Sequence, residues 1–227
     1  MSRPQEPLAP GLALVFDMDG VIVDSNPLHR DAWESFNRRY GLETTEAMHA
    51  GMYGKRNDEI VRNFYGTGLP DDEVAARGAA KEALYRELAH GRLENMLVPG
   101  LRDFLRKYQD APTAVASNAE PENIRFILDE AGIRPYFRAV VDGSQVVNPK
   151  PHPEIYLRVA DILGVPPANC IVFEDSYTGV QAAVAAGMRV IGLCTTHDDL
   201  PGTTITVDNF LDGELGRWLA SARVVTR

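Results

Sequence analysis

Short apolar runs recur along the chain, separated by stretches in which apolar residues return every three or four positions. The runs are residues 12–16, 113–116, 139–141, 170–173 and 189–193. They are mostly β-branched or aliphatic and do not alternate with polar residues. Strands of that kind are buried on both faces, which implies a parallel sheet. Between the second and third runs, Ile124, Ile127, Leu128 and Ala131 mark a helix that opens near Pro121 and stops at Gly132. Ile155, Val159, Ile162 and Leu163 mark another, ending at Gly164, and Val180, Ala183 and Val184 a third, ending near Gly187. Strand–helix–strand repetition predicts a doubly wound α/β domain with helices on both faces of a parallel sheet.

The rhythm breaks once. Between Phe16 and Thr113 the chain is far longer than a crossover helix requires, and it carries no convincing strand. Helices are predicted at about residues 28–40, 58–65 and 71–90, the last with Val74, Leu84 and Leu88 on a shared face. Four helices inserted here form an all-α cap. The predicted division is a core of residues 1–27 and 96–227 and a cap of residues 28–95, with a turn at Val98-Pro99-Gly100. The C-terminal part reads as a strand over residues 204–207 and a helix near residues 211–222.

Composition narrows the classes. The chain has 227 residues, 44% hydrophobic and 24% charged, which excludes a disordered chain, a collagen-like fibre and a disulfide scaffold. Its 23 basic and 32 acidic residues give a net charge of −9, unfavourable for non-specific binding to nucleic acid or anionic membranes. The 2 cysteines, Cys170 and Cys194, lie in apolar runs and read as buried thiols of a reducing compartment. The N-terminal stretch carries prolines and no apolar run, residues 12–16 are too short for a signal-peptide core, and nothing approaches a membrane span. A soluble cytoplasmic protein, monomeric or weakly dimeric, is expected.

Chemistry concentrates at the strand ends. The first run leads into Asp17-Met18-Asp19-Gly20-Val21, the second into Ser117-Asn118, the third into Asn148-Pro149-Lys150-Pro151, and the fourth into Glu174-Asp175-Ser176. Open parallel sheets bind ligands beyond the carboxyl ends of their strands. An Asp-x-Asp-Gly loop alone is also compatible with a turn or an adventitious cation site; four such segments at successive strand ends are not. Carboxylates from two strand ends suit Mg²⁺, and a lysine and a serine nearby suit phosphoryl oxygens.

These segments resemble the motifs of the haloacid dehalogenase superfamily of aspartate-nucleophile phosphotransferases, and the insert resembles the helical cap of its phosphoglycolate phosphatase and β-phosphoglucomutase branch. The resemblance implies Asp17 as nucleophile, Asp19 as general acid and base, and Ser117 and Lys150 as ligands of the phosphoryl group. It implies Mg²⁺ held by Asp17, the Asp19 carbonyl and Asp175, with Glu174 beside them. A small phosphate ester such as a sugar phosphate is the expected substrate. A phosphosugar mutase and a catalytically silent phosphometabolite-binding protein are the alternatives.

Specificity in this branch is implied to come from the cap loop, here Met52-Tyr53-Gly54-Lys55-Arg56-Asn57. The mutases typically have Lys before the glycine and Arg three after it, where this chain has Tyr53 and Asn57. Gly54, Lys55, Arg56, Asn118 and His29 are the candidate substrate contacts, Lys55 or Arg56 gripping a second anionic group or forming only a solvated basic turn. His29 and Trp33 lie one helical turn apart at the cap entrance. His49, His90, His152 and His197 show no metal or triad spacing and are expected at the surface. The cap is expected to hinge near residues 24–27 and 97–100.

Overall fold

The computed structural model describes residues 8–226, so most of the proline-bearing N-terminal stretch lies outside the described residues. Six strands form one parallel sheet: β1 (Ala13–Phe16), β2 (Thr113–Ala116), β3 (Ala139–Val141), β4 (Cys170–Glu174), β5 (Arg189–Leu193) and β6 (Ile205–Val207). Their order is β3-β2-β1-β4-β5-β6. The sheet is covered on both sides, which is why its strands are mostly apolar, with Thr113, Glu174, Arg189 and Thr206 as the exceptions. Leu14, Phe16, Ile171, Phe173, Ile191 and Leu193 enter one core, against α6 (Leu101–Lys107), α7 (Pro121–Glu130) and α10 (Gly213–Ser221). Ala13, Val15, Ala114, Ala116, Val172 and Val190 enter the other, against α8 (Glu154–Leu163) and α9 (Tyr177–Ala185). Phe16 and Phe173 stack at 4.7 Å between centroids across the β1–β4 pair, and burying each ring contributes about 1.5–3 kcal/mol. Among the described residues no helix is long and apolar enough to cross a membrane.

The helical cap lies between β1 and β2. It comprises α1 (Asn26–Arg39), α2 (Glu46–Ala50), α3 (Asn57–Tyr65), α4 (Asp71–Ala89) and α5 (Leu93–Met96). That is five helices where four were expected, because α2 and α5 are too short to display a period in the sequence. Trp33, Phe36, Met52, Ile60, Val61 and Val74 form a separate cluster inside the cap. Where the chain leaves the core and returns to it, Val23 forms an antiparallel bridge with Leu97, and the Asp24 amide donates to the Met96 carbonyl at 2.8 Å.

Two expectations need correction, and a third is incomplete. Of Val74, Leu84 and Leu88 on α4, Val74 is buried and the two leucines are partly buried against the hydrophobic clusters; the inward side also carries Gly78, Lys81, Glu82 and Tyr85. Lys81 and Glu82 are 2% and 4% exposed, a charged pair that the apolar pattern of the helix does not reveal. Cys194 lies just past the end of β5 and is half-buried, because the chain there turns away over the rim of the sheet; Cys170, at the start of β4, is buried. His49 is buried, not superficial: it faces α1 and bonds Glu34 at 3.1 Å.

The Lys81–Glu82 pair is buried and hydrogen-bonded at the edge of the cap–core cavity. Lys81 Nζ donates to Glu82 Oε1 at 2.8 Å, and Asn123 of α7 donates to Glu82 Oε2 at 2.6 Å. Burial acts to raise the Glu82 carboxyl, but the Lys81 charge and these hydrogen bonds outweigh it and bring it down to about 2. Replacing Glu82 by Gln strands the ammonium in the interior, so Glu82→Gln should cost about 3–5 kcal/mol in urea unfolding at neutral pH. Because the folded carboxyl titrates below the unfolded one, its contribution is complete above about pH 4.5 and lost as the pH falls through about 2. The gap between wild type and variant should therefore narrow over that window; a gap independent of pH would refute the assignment.

Candidate active site

The sheet order places β1 between β2 and β4, so the direction of winding reverses at the β1–β4 pair, and a crevice opens beyond the carboxyl ends of these strands. The register pairs Phe16 with Phe173, and the Asp17 amide donates to the Phe173 carbonyl at 3.0 Å. Asp17 and the Glu174-Asp175 pair therefore emerge side by side. Lys150 reaches in from the loop after β3, its Nζ 2.7 Å from Asp17 Oδ1 and 2.6 Å from Glu174 Oε1.

Glu174 has no free oxygen. Oε1 also accepts from Tyr156 Oη at 2.7 Å, and Oε2 accepts from the amides of Asp175 and Ser176 and from Ser176 Oγ at 3.0–3.1 Å. Fully bonded, Glu174 anchors Lys150. Asp175 accepts a hydrogen bond from Thr196 Oγ1, which in turn accepts from Asn26 Nδ2 at 2.6 Å. Gly20 closes this corner: it holds φ +78°, and a Cβ there would fall 1.9 Å from Asp175 Oδ2.

Asp17, Glu174 and Asp175 are all buried and offer oxygens within 4.8 Å of one another. Three carboxylates against one ammonium leave the site electron-rich. Burial, with the charges of Glu174 and Asp19, pushes Asp17 up to about 7 in spite of Lys150. Burial and the charges of Glu174 and Asp17 push Asp175 well above the usual carboxylate range. Burial would lower Lys150, but the Asp17 and Glu174 carboxylates raise it instead. An all-oxygen, charge-deficient cluster of this kind can hold a hard divalent cation.

Asp19 leaves the strand in another direction and meets different partners. Its Oδ1 accepts from Ser25 Oγ at 2.5 Å and lies 3.3 Å from His29 Nε2. Burial acts to raise the Asp19 carboxyl, and the contacts with His29 and Ser25 outweigh it and hold the group below the usual range. His29 Nδ1 is 2.7 Å from Lys81 Nζ. An ammonium has only donors, so we assign Nδ1 as the acceptor and place the imidazole proton on Nε2, facing Asp19. The His29 ring stacks on Tyr85 at 3.9 Å. A polar chain thus runs from the buried Lys81–Glu82 pair of the cap to Asp19 of the core.

The remaining candidates divide by position. Ser117 is buried beside the crevice, its Oγ accepting from the Ala119 amide at 3.2 Å. Asn118 accepts from the Lys150 amide at 3.3 Å and donates to the Gly54 carbonyl at 2.9 Å, tying core to cap. Gly54 presses on the core at φ +72°, where a Cβ would come 2.3 Å from Thr178 Oγ1. Arg56 donates to the carbonyls of Gly143 and Val146, and Lys55 pairs with Glu59 at 2.8 Å. Trp33 lies in the cap cluster and also borders the cavity. Cap and core together enclose about 390 Å³, the scale of a small-metabolite site. Sequence reading missed Lys81, Glu82, Tyr156 and Thr196. Only Thr196 carried a signal, being close behind the end of the fifth strand.

A doubly wound core whose acids meet at the switch point beneath a helical cap defines a class of capped α/β enzymes. Within it, a family model for haloacid dehalogenase-like hydrolases matches residues 12–187, and the chain belongs to that family. It is 33% identical over 179 residues to fructose-1-phosphate phosphatase YqaB of Escherichia coli, covering 78% of this chain and 94% of that protein. Its fold is similar to that of β-phosphoglucomutase from Clostridium difficile, with a TM-score of 0.82, 26% identity and coverage of 92% of this chain and 96% of the other. It is also similar to CbbY from Rhodobacter sphaeroides, solved with xylulose-(1,5)bisphosphate, with a TM-score of 0.76, 26% identity and coverage of 88% and 95%.

The Gly54 contact is testable. A methyl group there strains the left-handed turn and holds the cap loop off α9, so Gly54→Ala should lower hydrolase kcat/KM by about 10–100-fold while costing about 1–2 kcal/mol in unfolding, too little to unfold the enzyme under assay. An unchanged kcat/KM would show that the close approach is dispensable.

Proposed function

We propose that this chain is a Mg²⁺-dependent phosphatase of small phosphorylated metabolites, sugar phosphates foremost, working through an aspartyl-phosphate on Asp17. The observation that carries the reading is the buried cluster of Asp17, Asp175 and Glu174 around Lys150 at the switch point. The E. coli relative, named for fructose 1-phosphate, supports the substrate class.

The residues divide the work. Lys150 holds Asp17 Oδ1, fixing the plane of the carboxylate for in-line attack on phosphorus. Attack forms the Asp17–phosphorus bond as the bond to the ester oxygen breaks, and Asp19, which must carry a proton on Oδ2 against the pull of His29 and Ser25, delivers it to that oxygen. In the second half, Asp19 takes a proton from water as the water oxygen attacks the aspartyl-phosphate, releasing phosphate and restoring the Asp17 carboxylate. Both Asp19 bonds fall on Oδ1, which leaves Oδ2 for the substrate oxygen. Ser117 and Lys150 bind the non-bridging phosphoryl oxygens. Asp17, Asp175 and the Asp19 carbonyl would hold Mg²⁺, with Glu174 behind them as the anchor of Lys150. The ion, when bound, offsets the charge on the transferring group.

A mutase would use the same first step and return the phosphoryl group to a sugar hydroxyl. The likeness to the C. difficile enzyme favours that reading, but Tyr53 and Asn57 stand where the mutases typically carry Lys and Arg. A silent binding protein is disfavoured because every group the chemistry needs is present.

Turnover of a generic phosphate ester should vanish with EDTA and return with Mg²⁺; activity indifferent to chelation would exclude the metal. Asp17→Asn should lose at least about 10³-fold in kcat without loss of stability, and the phosphorylated chain trapped by acid quench in wild type should disappear. An Asn variant that turns over near the wild-type rate would overturn the nucleophile assignment. Isomerisation of a hexose 1-phosphate without release of phosphate would favour the mutase.

A further inference from the structure

Beyond the phosphoryl-binding cluster, the cavity continues under the cap toward Asn57 at the start of α3 and Glu120 just before α7. Asn57 Nδ2 donates to Glu120 Oε1 at 2.9 Å across the cap–core boundary. The Asn57 side chain sits over Gly78 of α4, whose missing Cβ makes room for it; a Cβ there would meet Asn57 Cβ at 3.1 Å.

Each cation lining this cavity has a protein partner, although Arg56 keeps one unpaired donor, Nε. Arg56 is turned onto the carbonyls of Gly143 and Val146, Lys55 pairs with Glu59, Lys81 is held between Glu82 and His29, and Lys150 belongs to the acid cluster. The acids Glu82, Glu120 and Asp58 border the same space. Glu120 Oε2 and Asn57 Oδ1 make no hydrogen bond among the described residues, and the Arg86 guanidinium, whose charge reaches Glu120, is turned onto Asn123 Oδ1, so this end offers two acceptors with no cation bonded to them. Acceptors of this kind suit sugar or polyol hydroxyls, which bring protons. A second phosphate at neutral pH brings negative charge and few protons.

We propose that the Asn57–Glu120 pair is a specificity determinant that accepts the neutral, hydroxylated end of a monophosphate and rejects a second phosphate. This rests on the phosphatase reading and narrows it. The fold alone does not exclude bisphosphates, since the Rhodobacter CbbY structure holds one; the charges lining the cavity decide. Discrimination here is a repulsive element built against one ligand as much as a fit to another.

The test measures binding apart from turnover. On the Asp17→Asn variant, calorimetry at fixed salt and Mg²⁺ should show a hexose 1-phosphate or 6-phosphate binding at least about tenfold tighter than hexose 1,6-bisphosphate. Adding Glu120→Lys should erase or invert that preference, and adding Glu120→Gln, which keeps the shape and removes the charge, should shrink it. A bisphosphate that binds as tightly as the monophosphates, or a preference that neither substitution moves, would overturn the proposal. Hydrolysis of nitrophenyl phosphate by wild type, which involves no second phosphate, reports on the phosphatase reading alone, so the two fail separately.

Discussion

One ammonium inside the protein organises the rest. Lys150 is 5% exposed, and a charge so far from water survives only if it is paired and hydrogen-bonded. Glu174 and Asp17 supply the pairing, and Tyr156, Ser176 and two amides secure Glu174 in turn. These groups come from β4, α8 and the loops after β1, β3 and β4, so segments distant in the chain must meet before the charge is satisfied. The same arrangement leaves Asp17 and Asp175 without enough positive charge, a deficit that a divalent cation can fill. Structure and chemistry here rest on one imbalance.

The cap meets the core through polar and close-packed contacts more than through a continuous apolar interface. Asn118 to Gly54, Arg56 to Gly143 and Val146, Asn57 to Glu120 and Asn123 to Glu82 all cross the boundary. Tyr53 of the cap loop faces His197, which stacks on Tyr177 of α9. Only part of the cap, including Leu28, Ala32, Tyr85 and Ala89, shares the core's own hydrophobic cluster, while Trp33 and Phe36 pack within the cap. Contacts of this type break at modest cost, as a lid that admits substrate and then excludes water requires. The chain from Glu82 through Lys81 and His29 to Asp19 makes the position of that carboxylate depend on where α4 lies.

The core strands were legible because burial on both faces makes most of their positions apolar, and β2, β3 and β5 fall on the predicted residues. The acids, the lysine and the serine at the strand ends were legible because polar residues that end buried runs have no packing explanation. The short helices α2 and α5 hold too few residues to show a period, and α6 follows a turn that drew attention to itself instead. Leu84 and Leu88 marked the packed side of α4 only in part, since an amphipathic reading assigns Lys81 and Glu82 to solvent. His49 failed in the same way: a lone polar residue gives no local sign that Glu34 waits for it on another helix.

The order of apolar and polar residues therefore determined, without further help, that a parallel sheet forms and that chemistry gathers where its strands end. Both follow from local rules, the side-chain period and the position of charge relative to a buried run. Which charges pair, which oxygen atoms stay free and where the cap's cations point were decided only when distant segments met. Lys150 and Glu174, Lys81 and His29, Asn57 and Glu120 are pairings between residues far apart in the chain, and nothing near either partner encodes the other. Pairing energy depends on distance through space and on exclusion of water, and the folded chain alone sets both.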